Sequence, residues 1–526
     1  MVQGCWIDFH ARQDPQRLAL VEPGRAGATE PRARTYAQLS DRISRIASLL
    51  LHRFHCRPGD RIGVLASNRI EQFELFFAAW HIGAVLVPLN WRLAAPELGV
   101  ILADSAPKCV LVDEAYAALL QDAAVQAPWT GQTVPLDAGA AEGIDLQQLL
   151  TELPESTSPQ RVEPDPDTPL MLLYTSGTTG RSKGVVLTPG TITWNAINTA
   201  AGWGLRPDDV TLVHTPLFHT GGWNVLAMPL LHLGGTVVLA DCFDADEALQ
   251  QVAEFGVTLL FAVPTMWQLM LECERFASAE LGGLRFAITG GAACPEPLLR
   301  AWSERGVLFK QGYGLTEVGP NCFAMPAHEA MSHAGTVGFP MPHLQTRLVD
   351  PAGRDVEVGE EGELWLRGPT VCAGYWRQPD ISAAALRDGG WFATGDLFRC
   401  DREGRFCFVG RSKEMFVSGG ENVYPAEVER VLYDIAGVAE AAVVPVQDPR
   451  WGEVGHAFVS LRRKDDGRVG TQEAEEIRAL CREQLASYKV PKQVTILDEL
   501  PKSPSGKIAK RQLQQQVKEQ SVGTRP

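Results

Sequence analysis

Residues 174–184 read Tyr174-Thr175-Ser176-Gly177-Thr178-Thr179-Gly180-Arg181-Ser182-Lys183-Gly184. The run before them, Leu170-Met171-Leu172-Leu173, is apolar and of strand length. A loop with three glycines, five hydroxyls and two cations has almost no apolar bulk, so packing does not explain it. Glycines let the backbone come close to a ligand, while bare N–H groups, hydroxyls and cations favour an anion. The loop therefore reads as a phosphate cradle at the end of a strand. It is not the Walker loop, which needs four residues between its glycines and then Gly-Lys-Ser/Thr. Here Ser182 stands five residues after Gly177, and Lys183 precedes Gly184.

The flanking chain alternates strands and helices. Thr35 and Gln38 have capping-box spacing, and Leu39, Ile43, Ile46, Ala47 and Leu50 follow at helical intervals. Strands are expected at 61–66, 84–88 and 108–112, with a helix over 71–81. After the glycine loop, further strands are expected at 210–215, 236–240, 259–263 and 284–289, and a helix over 246–255. Strands alternating with helices indicate parallel α/β layers. Between 338 and 410 short polar–apolar alternation and glycine-rich turns indicate antiparallel sheet or a small barrel. Beyond 411 a compact mixed unit is expected, with helices near 426–432 and 473–485 and strands near 441–446 and 456–461.

The fold class expected is α/β: two stacked α/β subdomains and a barrel-like β subdomain, followed by a small mobile α+β domain. The division expected is 1–410 and 411–526, with a Pro-rich subdomain linker near 154–169. A chain of 526 residues exceeds one ordinary core.

The net charge of −15 speaks against a nucleic-acid or anionic-membrane partner for the whole surface. Eleven cysteines without a C-x-x-C pair fit a reducing cytosol, not a disulfide framework or zinc ribbon. No cationic and apolar leader pattern opens the sequence, so a cytoplasmic location is expected. Residues 210–240 carry no Asp, Glu, Lys or Arg, but His214, Pro216, His219, Gly221, Gly222, Asn224, Pro229, His232, Gly234 and Gly235 interrupt any span of about 20 apolar residues. Strand, loop, buried helix and strand are expected there. The pair His328 and His333 is one residue too widely spaced for the H-E-x-x-H zinc motif.

Four further stretches carry chemistry. Gly312-Tyr313-Gly314-Leu315-Thr316-Glu317 offers an aromatic face, a hydroxyl and a carboxylate suited to a hard cation. Thr394-Gly395-Asp396-Leu397 places an acid where it can accept two ribose hydroxyls. Gly410-Arg411-Ser412-Lys413-Glu414, running on to Ser418-Gly419-Gly420-Glu421, joins the large and small units. Pro501-Lys502-Ser503-Pro504-Ser505-Gly506-Lys507-Ile508 holds a lysine on a stiff loop. Each alone is also explained by a tight turn or a linker.

In this order the five stretches resemble the adenylate-forming superfamily, the AMP-dependent acyl- and aryl-CoA synthetases and their relatives, from about Tyr36 to Gln515. The resemblance implies two half-reactions: a carboxylate attacks the α-phosphate of ATP, releasing pyrophosphate, and a thiol then displaces AMP. It implies ATP and Mg²⁺, with coenzyme A as co-substrate. It places Thr175, Ser176, Gly177, Thr178, Thr179, Gly180 and Lys183 on phosphate, and Gly291, Ala292, Ala293, Gly312, Tyr313 and Gly314 at adenine. Thr316 falls on the α-phosphate, Glu317 with Thr175 on the metal, and Asp396 with Arg411 on ribose. Lys507 falls between the carboxylate and α-phosphate oxygens, Lys413 at the hinge, and Gly419 and Gly420 on the thiol channel.

His219, Gly222, Trp223, Asn224 and Val263 are the expected acyl-pocket residues, with His219 at the acid–thiol junction. Trp223 matches a gate position; filling and shortening the pocket is the competing reading. The 217–224 segment holds no Lys or Arg, so an apolar acid is expected, medium or long aliphatic first. The alternatives are an aryl acid (benzoate, hydroxycinnamate or o-succinylbenzoate type), a ligase loading a carrier protein, and a nucleotide-binding protein without turnover. A homodimer is left open.

Overall fold

The structure is a computed structural model of the chain. It describes residues 5–24, 31–127, 129–137, 144–153, 165–176, 182–292, 294–326, 328–418, 421–462, 473–503 and 506–523. The greater part of the expected Pro-rich linker, 154–164, lies outside the described residues.

Four sheets organise it. In the first, strands Gln132–Pro135, Cys109–Val112, Arg61–Leu65, Val85–Pro88 and Met171–Ser176 run parallel, and Ser182–Leu187 turns back antiparallel on the last. The second runs Phe309–Gln311, Phe286–Thr289, Leu259–Ala262, Val210–Val213, Thr236–Leu239 and Leu18–Glu22 in parallel, closed by antiparallel Arg32–Thr35. The central strands Val85–Pro88, Cys109–Val112 and Phe286–Thr289 are buried end to end, which is why they read as short unbroken apolar runs.

The helix Ile70–Ile82 lies against strands of both sheets, and all its residues are buried. Its two acids are paired, as burial requires: Glu74 with Arg34 and Arg42, and Glu71 with Arg32 and Arg69. This helix fixes how the sheets face each other. The capping box at Thr35 and Gln38 is formed as the spacing predicts.

The third sheet is antiparallel and curled, in the order Phe323–Ala324, Thr336–Pro340, Phe406–Arg411, Trp391–Cys400, Glu361–Arg367 and Gln345–Val349. Arg411 ends its strand, and the chain turns through 412–415 into the fourth sheet. There the long hairpin Val438–Asp448/Gly452–Leu461 is covered by helices Pro425–Asp434 and Ala474–Gln484.

The sequence places most of these elements within one to three residues. It does not reveal that Leu18–Glu22 also pairs with Thr236–Leu239, about 200 residues later. The charge-free stretch 210–240 forms strand, two short helices (Thr220–Asn224 and Ala227–Leu233) and strand. Among the described residues no helix is long and apolar enough to cross a membrane.

Candidate active site

The second sheet ends its parallel strands at one edge, and that edge builds one wall of a crevice. Leu259–Ala262 leads to Val263, Phe286–Thr289 to Gly290 and Gly291, and Phe309–Gln311 to Gly312. The Gly312 N–H donates to the Thr289 carbonyl at 2.8 Å, so the turn grows out of the sheet. Two glycines here have no substitute. A β-carbon on Gly314 would lie 2.1 Å from the Pro320 carbonyl oxygen. Gly291 has φ +83°, and a β-carbon there would sit 3.6 Å from Cε of Lys507 and Cγ1 of Val263.

The third sheet supplies the opposite wall. Tyr313 donates its hydroxyl to Oδ2 of Asp396 at 2.5 Å, and Nε of Arg411 lies 3.2 Å from Oδ1. Asp396 and Arg411 face each other in register on adjacent strands. The turn is held by the Thr394 hydroxyl, which accepts the Asp396 N–H and donates to the Leu364 carbonyl. Phe398 meets the Tyr313 ring edge-on at 4.8 Å. Burial, then the Asp396 charge, push the Tyr313 phenol well up, so it acts as a donor.

The hairpin of the first sheet brings the cations. Thr175 and Lys183 are cross-strand partners. Nζ of Lys183 lies 5.1 Å over the Tyr375 ring, and the Tyr375 hydroxyl donates to Oε1 of Glu317 at 2.9 Å. Burial raises the Glu317 carboxyl above the usual range, against the opposing Tyr375 hydrogen bond and Lys183 charge. Gly184 is needed because a β-carbon would meet the Tyr174 ring at 3.1 Å and Trp376 at 3.3 Å. Tyr375 carries no sequence signal beyond an aromatic pair after glycine, and its bridging place was not foreseen.

Lys507 arrives from the far end of the chain. It is open to the crevice, with Nζ 3.9 Å from the β-carbon position of Gly291. Surrounding protein, then Arg411, lower its ammonium, with Asp396 opposing. His219 precedes the helix Thr220–Asn224, and its Nε2 is buried without a hydrogen-bond partner. Burial first, then Lys507 and Arg92, bring its pKa down to about 4, so the ring is neutral at pH 7.

The crevice therefore gathers Lys183, Gly291, Gly312, Tyr313, Glu317, Asp396, Arg411, Lys507, His219 and Val263. Thr316 sits half-buried in the same turn as Glu317, and Ala292 follows Gly291. Gly177, Thr178, Thr179, Gly180, Ala293, Gly419 and Gly420 lie outside the described residues; Ser176 ends its strand. Lys413 stands in the turn 412–415.

Three expected pocket residues turn inward. Trp223 is 0 % exposed, donates to the Leu217 carbonyl and packs on Phe73 at 4.6 Å and Phe76 at 5.6 Å. It borders no solvent-filled space, and the short helix points this side chain towards Phe73 and Phe76. Asn224 is buried, with its carbonyl held by Asn195 and Asn321, and Gly222 packs against the Thr215 and Pro216 carbonyls. Phe261 lies beside the glycines of this region. Its ring lies 3.2 Å from the β-carbon position of Gly221 and 3.7 Å from that of Gly290. Arg92 stacks on Trp91 and Phe218 beside His219, a cation the 217–224 segment does not contain.

His328 and His333 both lie near Glu329, at 3.5 and 3.8 Å. On the small unit, Trp451 is 38 % exposed, with Arg450 at 4.9 Å and Lys492 at 5.5 Å from its ring.

Residues 7–376 match the AMP-binding enzyme family, and residues 427–507 match the AMP-binding enzyme C-terminal domain. A feruloyl-CoA synthase of an Amycolatopsis species is 40 % identical, over 96 % of this chain and 97 % of its own. An indoleacetate–CoA ligase of Aromatoleum aromaticum is 39 % identical over 97 % of both. The ATP-bound MatB structure from Rhodopseudomonas palustris superposes with a TM-score of 0.85 at 30 % identity, over 97 % of this chain and 98 % of that one.

Proposed function

The chain belongs to the AMP-binding enzyme family, the adenylate-forming acyl-CoA synthetases, and from that premise we propose that it joins an aryl-type carboxylic acid to coenzyme A. The observation that carries the adenylating part of this reading is the meeting of Lys507 with Gly291, Asp396 and Arg411 in one crevice. An ammonium there faces the place where a carboxylate oxygen and an α-phosphate oxygen would crowd together. Two anions approaching each other need a fixed positive charge more than they need a protein nucleophile. Asp396, already placed by Tyr313 and Arg411, would accept the ribose hydroxyls.

Glu317 and Thr175 would hold Mg²⁺. The fit is chemical: both offer hard oxygen, and a carboxyl that burial disfavours as an anion gains from a cation. The ion would supply charge neutralisation on the phosphates. Lys183 would add a second cation at that end.

The aliphatic preference expected from the sequence gives way to its aryl alternative. Feruloyl and indoleacetate ligases are the more similar relatives. Phe261, Val263 and a neutral His219 offer flat and apolar surface to a ring. Trp451, flanked by Arg450 and Lys492, suits the adenine and phosphates of coenzyme A, which favours this thiol over a carrier protein.

Mass detection of the products tests the reading. Ferulate or indole-3-acetate with ATP and Mg²⁺ should give the acyl-adenylate, and added coenzyme A should convert it to the thioester. Adenylate that accumulates but ignores coenzyme A would instead support the carrier-protein reading.

A further inference from the structure

Lys510 stands three residues after Lys507, at the start of the helix Lys510–Gly523. Its Nζ lies 2.8 Å from Oε1 of Glu429 and 3.0 Å from Oε2 of Glu414. Glu429 is on the helix Pro425–Asp434 and also accepts the Val443 N–H at 2.7 Å, so it is anchored to the small sheet. Glu414 is in the turn that leaves the third sheet, and its Oε1 lies 3.8 Å from Nη1 of Arg411. Arg411 in turn holds Asp396 at 3.2 Å. An unbroken line of alternating charge thus runs Asp396, Arg411, Glu414, Lys510, Glu429.

The two halves of this line differ in strength. The Lys510 side chain is 28 % exposed and Glu429 14 %, at short distances. Burial pulls the Lys510 ammonium down, yet Glu429 and Glu414 outweigh it and leave it above ordinary lysine. The Arg411 side chain is 57 % exposed and its contact with Glu414 is long, so water and salt weaken it. The firm half grips the loop that carries Lys507, and the soft half crosses from the large sheet to the small unit.

Two hydrogen bonds stiffen that loop from inside: the Ser503 N–H donates to the Lys507 carbonyl at 2.6 Å, and the Ala509 N–H donates to the Pro501 carbonyl at 2.7 Å. Lys502 pairs with Glu440 and ties the loop to the strand Val438–Asp448. These contacts shape the loop but do not aim it at the crevice. Lys510 ties it to the segment next to Arg411.

We propose that Lys510 is a positioning residue, which through Glu414 sets the Lys507 loop against the Asp396–Arg411 pair for acyl-adenylate formation. The proposal rests on the ligase reading above. It assigns Lys510 no contact with substrate. Its loss should therefore harm the step that needs Lys507 in the crevice and spare the step that does not.

The test separates the half-reactions in the full chain. One assay follows pyrophosphate release from acid, ATP and Mg²⁺ without thiol; the other follows thioester formation from chemically prepared acyl-adenylate and coenzyme A. Lys510→Met should slow the first by about 10–100-fold, the scale of a misplacement of about 1 Å, and change the second by less than about twofold. Lys510→Arg should restore the first to within about threefold, because it keeps the charge between the two carboxylates. Glu414→Gln should show the same asymmetry to a smaller degree, and it serves if Lys510→Met fails to fold. Equal losses in both assays, no loss in the first, or no rescue by arginine would overturn the proposal. A wild-type chain inert with every acid would overturn the ligase reading itself, and the proposal with it.

Discussion

At the nucleotide end of the crevice, polar groups are tied to one another. Asp396 receives Tyr313 and Arg411, Glu317 receives Tyr375, and Lys183 rests on the Tyr375 ring. At the acyl end, His219 keeps a buried ring nitrogen without a partner among Phe218, Phe261, Val263 and bare glycines. The first end is preorganised for a ligand whose charge and shape are fixed. The second leaves a weakly specified apolar surface whose extent is set by a few side chains. Preorganised polar groups stabilise charge because they need not reorient during reaction, whereas apolar walls discriminate by only about 1–3 kcal/mol per methylene.

The sharpest way to break this comparison is at Lys507, which serves both ends. Lys507→Ala should cut pyrophosphate release by at least a factor of about 100–1,000, the cost of a lost transition-state donor, while ATP still binds. Rapid-quench assays and nucleotide titration read the two effects separately. Because burial and Arg411 hold the Lys507 ammonium below ordinary lysine, wild-type adenylation should also fade at a lower alkaline pH than a free lysine would give. Loss of charge with rising pH is the direction that a lysine requires.

At the nucleotide end alone, Asp396→Asn should raise KM for ATP by about 10–100-fold, as expected for hydrogen bonds to a charged group. The order of preference among acids should stay as it is. If that order changed, the two ends would not be independent.

At the acyl end alone, Phe261→Ala should leave KM for ATP unchanged and shift relative kcat/KM among acids by about tenfold toward bulkier ones. Trp223→Phe should move that preference little and lower thermal stability instead, because its ring lies in the core.

A last effect, on stability and not on activity, concerns the buried His214. His214 is 1 % exposed beside Phe243, and burial lowers its pKa to about 4. As pH falls below 6.5 the unfolded chain takes up a proton that the folded chain refuses. Stability should therefore decline between about pH 6.5 and 4, by at most about 3 kcal/mol from this group. His214→Phe should flatten that part of a stability–pH curve measured by thermal unfolding.

The same contrast explains what the sequence made legible. Phosphate, ribose and lysine motifs are short, local and demanding of residue type; Gly314 has no space for a β-carbon and Asp396 must stand opposite Arg411. Such positions declare themselves in one dimension. The acyl wall proposed above would be assembled from residues far apart in sequence: Phe261 from one strand, His219 from a loop after another, Arg92 from the first α/β layer. Trp223 looked like a pocket residue because of its neighbours in sequence, yet a single helical turn directs it at Phe73 and Phe76. Tyr375 was hidden because its partners, Glu317 and Lys183, are 58 and 192 residues away. The place of strand Leu18–Glu22 in the second sheet was hidden for a similar reason, since its parallel partner is Thr236–Leu239.

The most direct test of the central claim is kcat/KM for AMP formation with coenzyme A across ferulate, indole-3-acetate, o-succinylbenzoate, octanoate and palmitate. The account predicts coenzyme A-dependent turnover that is highest with one of the aromatic acids. Octanoate or palmitate exceeding every aromatic acid would contradict it, and so would ATP cleavage that does not depend on any acid.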